Sequence, residues 1–136
     1  MDENIGVRLG WLKFMYIYTI VGAGGVGLGI ILIPDVMQSI FSLPNMEPIT
    51  YGVTGSVYLA FALLSILGLR SPLKFTPILL LQLTYKSIWF IGVIIPLLFM
   101  GKFPTYAIMI SVIYFSYIIG DLIAIPFSYV FAKQSG

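Results

Sequence analysis

Four stretches of this chain, Trp11–Ile33, Tyr51–Leu69, Phe75–Met100 and Tyr106–Phe131, are apolar over most of their length, and each carries at most one charged residue. An α-helix rises about 1.5 Å per residue, so about 20 such residues cross the roughly 30 Å of hydrocarbon in a bilayer. The expected fold is therefore all-α: an integral membrane four-helix bundle forming a single transmembrane domain over residues 1–136, with helices at about 11–33, 51–69, 75–100 and 105–131. Composition agrees. Only 9% of the residues are charged and 60% are hydrophobic, whereas a water-facing chain carries about a quarter charged residues. The first stretch exceeds the roughly 7–15-residue core of a signal peptide, and its flank mixes Asp2 and Glu3 with Arg8 and Lys13, so it is expected to remain as a span.

The sign of the flanks sets an expected orientation. Arg8, Lys13, Arg70, Lys74 and Lys133 fall on the side of the amino terminus, while Lys102 falls opposite together with Asp35 and Glu47. Positive residues concentrate on the cytoplasmic side, so both termini are expected there, in the cytoplasmic membrane. The longest connection, "PDVMQSIFSLPNMEP", then lies outside. Val36, Met37, Ile40, Phe41 and Leu43 give it an apolar face at helical spacing, Asp35 is placed to cap its start and Pro44 to stop it. A short amphipathic helix over this loop is the expectation, as a lid or spacer or as a gate. Trp11, Tyr16, Tyr18, Tyr51, Tyr106 and Tyr129 lie near span ends and are expected in the interfacial belts.

Gly22, Gly24 and Gly27 have the spacing G-x-G-x-x-G. A dinucleotide site would also need a preceding strand, a helix opening at the last glycine and an acidic residue about 20 positions on. Here the glycines fall inside a membrane span. Helix packing is the expected role: Gly25 and Gly29 form a G-x-x-x-G step on the first span, and Gly52, Ser56 and Ala60 offer a small face on the second, for packing on each other or on another subunit.

Two charges sit inside the remaining spans. Lys86 lies within "LQLTYKSIWF" and Asp121 within "SYIIGDLIAIP". A central charge costs roughly 2.5–3.5 kcal/mol on insertion scales, so neither is expected to face lipid. The spans are joined by the tight "GKFP" turn and run antiparallel. Lys86 precedes the turn's centre by about 16 residues and Asp121 follows it by about 18, a depth mismatch of roughly 3 Å. An ion pair is the expectation. Gln82, Tyr85, Lys86 and Trp89 share one face of the third span, and Tyr114, Tyr117 and Asp121 share one face of the fourth, so the pair would sit among hydroxyl, amide and aromatic groups. Pro96 and Pro126 each remove a helix hydrogen bond nearby, freeing the carbonyls of Gly92 and Leu122. Either a structural pair that fixes register, or a ligand, proton or ion site, satisfies these residues.

Cys and His are absent, which removes thiol chemistry, metal ligation by those side chains and any nucleophile–His arrangement. No catalytic residue, metal or cofactor is expected. A net charge of +2 without a basic patch excludes a nucleic-acid footprint.

A first span ending in "IILIPDVMQSIFSLP", a glycine-led second span "YGVTGSVYLAFALLSILGLRSP" and two further spans resemble the DoxX-like group of small four-helix bacterial and archaeal membrane proteins. The resemblance is one of layout over most of the chain. It implies a role beside a quinone or a redox partner subunit, as for some members of that group. Three function classes remain: binding or transport of a small amphiphile, ion or proton at Lys86 and Asp121; an accessory subunit joined to partners or to further copies through the glycine faces; and, last, a membrane enzyme.

Overall fold

The computed structural model describes residues 8–133; Asp2 and Glu3 lie outside the described residues. Within that range the chain folds as α1 (Leu9–Leu32), α2 (Pro34–Ile40), α3 (Pro48–Arg70), α4 (Thr76–Trp89), a π-helical turn (Phe90–Ile94), α5 (Ile95–Phe99), α6 (Ala107–Ala124) and α7 (Phe127–Val130), with no strand among the described residues. Four helices are long and apolar enough to cross a membrane: Leu9–Leu32, Pro48–Arg70, the run Thr76–Phe99 and Ala107–Ala124. Their outward faces carry large bare apolar side chains such as Val21, Leu32 and Phe99. That is the make-up of a multi-pass membrane protein, since no water-facing monomer leaves contiguous apolar surface on this scale.

Local chemistry places the helix ends. Pro34, Pro48 and Pro77 stand in first turns, where a missing N–H is harmless. The Glu47 carboxylate accepts the backbone N–H groups of Ile49 and Thr50, both at 2.8 Å, and so caps α3. Those two bonds hold its carboxyl below the usual glutamate range.

Pro96 is accommodated in a way the sequence pattern does not announce. The helix widens into a π turn, in which the N–H of Ile95 reaches back five residues to Phe90 O, so the third span continues through the proline. Pro126 has the opposite effect. The fourth span ends at Ala124 rather than near residue 131, and α7 starts again beyond the proline. Asp121 consequently stands one turn from a helix end, not well inside a long span.

Helix α1 packs most extensively on α3, and the seam differs from the expected one. Gly24 faces Ala62. A Cβ on Gly27 would lie 2.7 Å from Leu59 N and 2.8 Å from Gly55 O, so only glycine lets the two backbones approach there. Gly25 and Gly52 have open space around them, and Ser56 and Ala60 are exposed, so none of these four joins α1 to α3. One residue of helix rotates a side chain by about 100°, which carries Gly25 off the face that Gly24 and Gly27 occupy. Gly29 packs on Met37, the one side chain that α2 buries. Val36 and Ile40 stay exposed, Asp35 makes no capping bond, and α2 ends before a left-handed Ser42 rather than at Pro44.

The aromatic belt is also thinner than expected. Trp11 and Tyr129 are exposed near span ends and Tyr106 is half-buried, but Tyr16 is fully buried against Gly68 and donates to Pro72 O at 2.6 Å. Tyr51 is buried beside Ile30 and Met37, and the Tyr18 hydroxyl pairs with Ser116 at 2.7 Å. A hydroxyl that finds a partner inside the bundle, as those of Tyr16 and Tyr18 do, has no need of the interface, whereas the Tyr51 hydroxyl is buried without one.

Candidate functional site

The interior of the bundle holds a layer to which each long helix contributes one fully buried polar side chain: Thr19 from α1, Ser65 from α3, Gln82 from α4 and Asp121 from α6. The periodicity that aligns them is helical. Gln82, Tyr85, Lys86 and Trp89 occupy one face of α4, and Tyr114, Tyr117 and Asp121 one face of α6. The two faces meet. Gln82 Nε2 lies 3.3 Å from Asp121 Oδ2 and 3.3 Å from Thr19 Oγ1, and the Thr19 hydroxyl in turn donates to Met15 O at 2.8 Å.

Lys86, 2% exposed, stands one turn further along α4. It does not pair with Asp121. Its Nζ donates to Tyr85 Oη at 2.7 Å and lies 4.3, 4.8 and 4.4 Å from the ring centroids of Tyr85, Tyr114 and Tyr117. Three aromatic faces and a phenol oxygen therefore surround the ammonium, an arrangement that stabilises a desolvated cation without an anion in contact. The expected direct ion pair is thus replaced by a caged lysine and a separate carboxylate. Rough agreement in depth and face, which the sequence supplies, falls short of the few ångströms that decide which oxygen an amine reaches.

The cage is itself held in place. Tyr114 pairs through its hydroxyl with Tyr58 of α3, and Trp89 packs edge-on against the Tyr114 ring at 4.9 Å. Phe61 packs on Tyr85 at 5.5 Å, and Tyr117 donates to Tyr18 O at 3.2 Å. Gly22 leaves the space that the Tyr117 hydroxyl fills. All seven polar and aromatic residues singled out on the third and fourth spans are in this cluster. Thr19, Ser65 and Tyr58 join it from spans whose readable feature was their glycine. The signal for them was a hydroxyl within an apolar run, which the sequence also shows at Thr54, Ser56 and Thr84, all away from the site.

Satisfaction is incomplete. Asp121 Oδ1, Gln82 Oε1 and Ser65 Oγ are buried without a hydrogen-bond partner, as are Tyr51 Oη and Ser111 Oγ outside the cluster. Such groups are uncommon, because each forfeits its bonds to water and gains nothing in return. On the side of Arg70 and Lys74 the freed end of α6 is covered by Arg8, whose Nη1 lies 3.3 Å from Ile123 O. Two concavities on the surface, one lined by Gly52, Ser56 and Ala60 with Ile31 and the other by Phe41, Thr105 and Met109, do not reach the cluster. Among the described residues no group of three acidic, Cys or His side chains is placed to hold a metal ion.

No family model, curated protein or solved structure matches the chain.

Proposed function

We propose that this is a small multi-pass protein of the cytoplasmic membrane, both termini inside, which binds and moves a proton or small cation at the cluster around Lys86 and Asp121. One observation carries the reading. A fully buried carboxylate keeps one oxygen without a partner while the nearest ammonium is held in a tyrosine cage. A pair serving only to fix helix register would close on itself, because two separated charges retain more of their desolvation cost than a touching pair does. Charges kept apart leave the carboxylate free for an exchangeable partner, and an ionisable residue at bilayer depth is by default a functional candidate. The burial of Gln82, Lys86 and Asp121 favours the smallest ligands over an amphiphile. The excess of Lys and Arg on the side of Arg70 and Lys74 supports the orientation, and α2 then lies on the outer side.

A second reading is favoured by the groove along α3, where Gly52, Ser56 and Ala60 present small residues to the outside. Such a face suits an accessory subunit that seats a partner helix, and the DoxX-like layout would make that partner redox- or quinone-linked.

The test is flux. Wild-type protein reconstituted in vesicles should dissipate an imposed proton or alkali-cation gradient, read by an internal pH dye and by isotope uptake, and Asp121→Asn should reduce the rate at least tenfold. Equal rates in both proteins, at equal incorporation, would remove the transport reading and leave the accessory one.

A further inference from the structure

Of the five buried oxygens without a partner, those of Ser65, Gln82 and Asp121 come from three different helices and lie at one level of the bundle, whereas Tyr51 Oη and Ser111 Oγ lie away from it. Asp121 and Gln82 touch through the amide. Ser65 lies midway between Ala62 and Gly68, whose partners on α1 are Gly24 and Tyr16, which sets it level with Thr19, itself bonded to Gln82. Phe61, one turn before Ser65, packs on Tyr85, one turn after Gln82, and the same level follows from α4. Ser65, like Ser111 on α6, also departs from the usual habit of helix hydroxyls. Thr19, Thr54, Ser56, Thr84 and Ser87 each turn back onto the carbonyl four residues earlier, which is the ordinary way for a membrane helix to satisfy such a group. Ser65 is fully buried and does not.

We infer that Ser65 Oγ, Gln82 Oε1, Asp121 Oδ1 and Thr19 Oγ1 form an oxygen site for a monovalent alkali cation of about sodium's size. The inference rests on the reading above and names its ligand. A proton on Asp121 Oδ1 could be donated to one other of these oxygens and would leave the third bare, whereas a cation accepts electron pairs from all of them at once. Carboxylate, amide carbonyl and hydroxyl are hard oxygen donors, the set that suits hard cations and excludes soft ones. One carboxylate offsets a single positive charge at most, and the Lys86 ammonium nearby already draws on it, so a divalent ion is disfavoured. The layer lies about 9 Å into the bundle from the end carrying Arg70 and Lys74, since Gln82 is six residues past the start of α4. Lys86 then acts as a fixed competitor: its charge opposes a second cation, and the tyrosine cage keeps it off Asp121.

The experiment is thermal unfolding of the full chain in a non-ionic detergent, with sodium, lithium, potassium or choline chloride at constant ionic strength. A ligand that binds only the folded state raises the melting temperature with its concentration. Sodium or lithium should give a saturable rise that choline does not. The rise should vanish in Asp121→Asn and shift to several-fold higher sodium in Ser65→Ala. Lys86→Met should tighten apparent sodium affinity by about fivefold or more. Should Asp121→Asn fail to fold, Ser65→Ala and Lys86→Met carry the same test. Identical curves in choline and sodium, or a full sodium response in Ser65→Ala, would overturn the inference; a bound water would give the first of these results. If sodium has no effect while Asp121→Asn still abolishes proton flux in vesicles, the cation site fails and the function proposed above stands. If Asp121→Asn changes neither, both fail.

Discussion

Lys86 holds its charge inside an apolar bundle by means of one phenol oxygen and three ring faces. The distances of 4.3 to 4.8 Å from Nζ to the centroids are well within the roughly 6 Å at which a ring quadrupole attracts a cation. Of these partners Tyr85 is the one that both stacks and accepts, at 2.7 Å. Tyr85→Phe keeps the ring and deletes the acceptor. It should cost about 1.5–3 kcal/mol of unfolding free energy, the range for a hydrogen bond to a charged group. In a Lys86→Met background the same substitution should cost less by at least about 0.5 kcal/mol, because the amine that needed the acceptor is gone. Denaturation of the four proteins in detergent reads the difference, and a cost independent of residue 86 would mean that the hydroxyl serves something else. How far these partners were legible follows from the geometry. Spacings of three, four and seven place Gln82, Tyr85, Lys86 and Trp89 on one face and Tyr114, Tyr117 and Asp121 on another. They do not say which acceptor a flexible four-carbon side chain reaches, and a phenol one residue away outcompetes a carboxylate on the neighbouring helix.

The helices themselves were legible because their length and apolarity answer to bilayer thickness, and their ends less so because prolines act in more than one way. Pro96 is absorbed by a π turn inside a span, while Pro126 ends one. Both remove the same N–H; what differs is whether the helix can widen and continue. The seam between α1 and α3 gives a sharper contrast. In lipid there is little hydrophobic gain from bringing two apolar helices together, so close backbone packing has to hold them. Gly27 faces backbone atoms of Gly55 and Leu59, which cannot turn aside, whereas Gly25 faces open space. Gly27→Ala should therefore destabilise the fold by about 1–3 kcal/mol, the usual cost of overpacking. Gly25→Ala should be neutral or stabilising by up to about 1 kcal/mol through its better helix propensity. Melting of the two variants in detergent separates them, and equal effects would mean that the seam runs along the other face. The sequence offers six glycines between Gly22 and Gly55 in these helices, Gly22, Gly24, Gly25, Gly27, Gly29 and Gly52, before Gly55 itself. Motif spacing alone favours Gly25 and Gly29, because a four-residue step resembles a known packing pattern, yet the three-residue step from Gly24 to Gly27 is the one that faces Ala62, Gly55 and Leu59.

At the scale of the whole molecule, the four long helices order the charges. Arg70 and Lys74 lie at one end of the bundle, and Lys102, after the far end of α5, lies at the other. Glu47 caps α3 at that second end. The polar layer is closer to the first end, with Asp121 three residues from the end of α6 and Ser65 five residues before Arg70. A ligand entering from the side of the basic residues would therefore cross less of the bundle than one entering from the side of Lys102, and the sidedness of the membrane decides which compartment the site serves. The chain has no cysteine, so single replacements at exposed loop positions report topology without background. Lys102→Cys should react with a membrane-impermeant maleimide in intact cells. Lys74→Cys should react only after permeabilisation, because basic flanks are retained on the cytoplasmic side. The reverse pattern would turn the molecule over and place the short path to Asp121 on the outside, so that the cation binding proposed above would draw on the external compartment. Labelling of both in intact cells would mean that the chain inserts in two orientations, and the layer would then be within reach of each compartment.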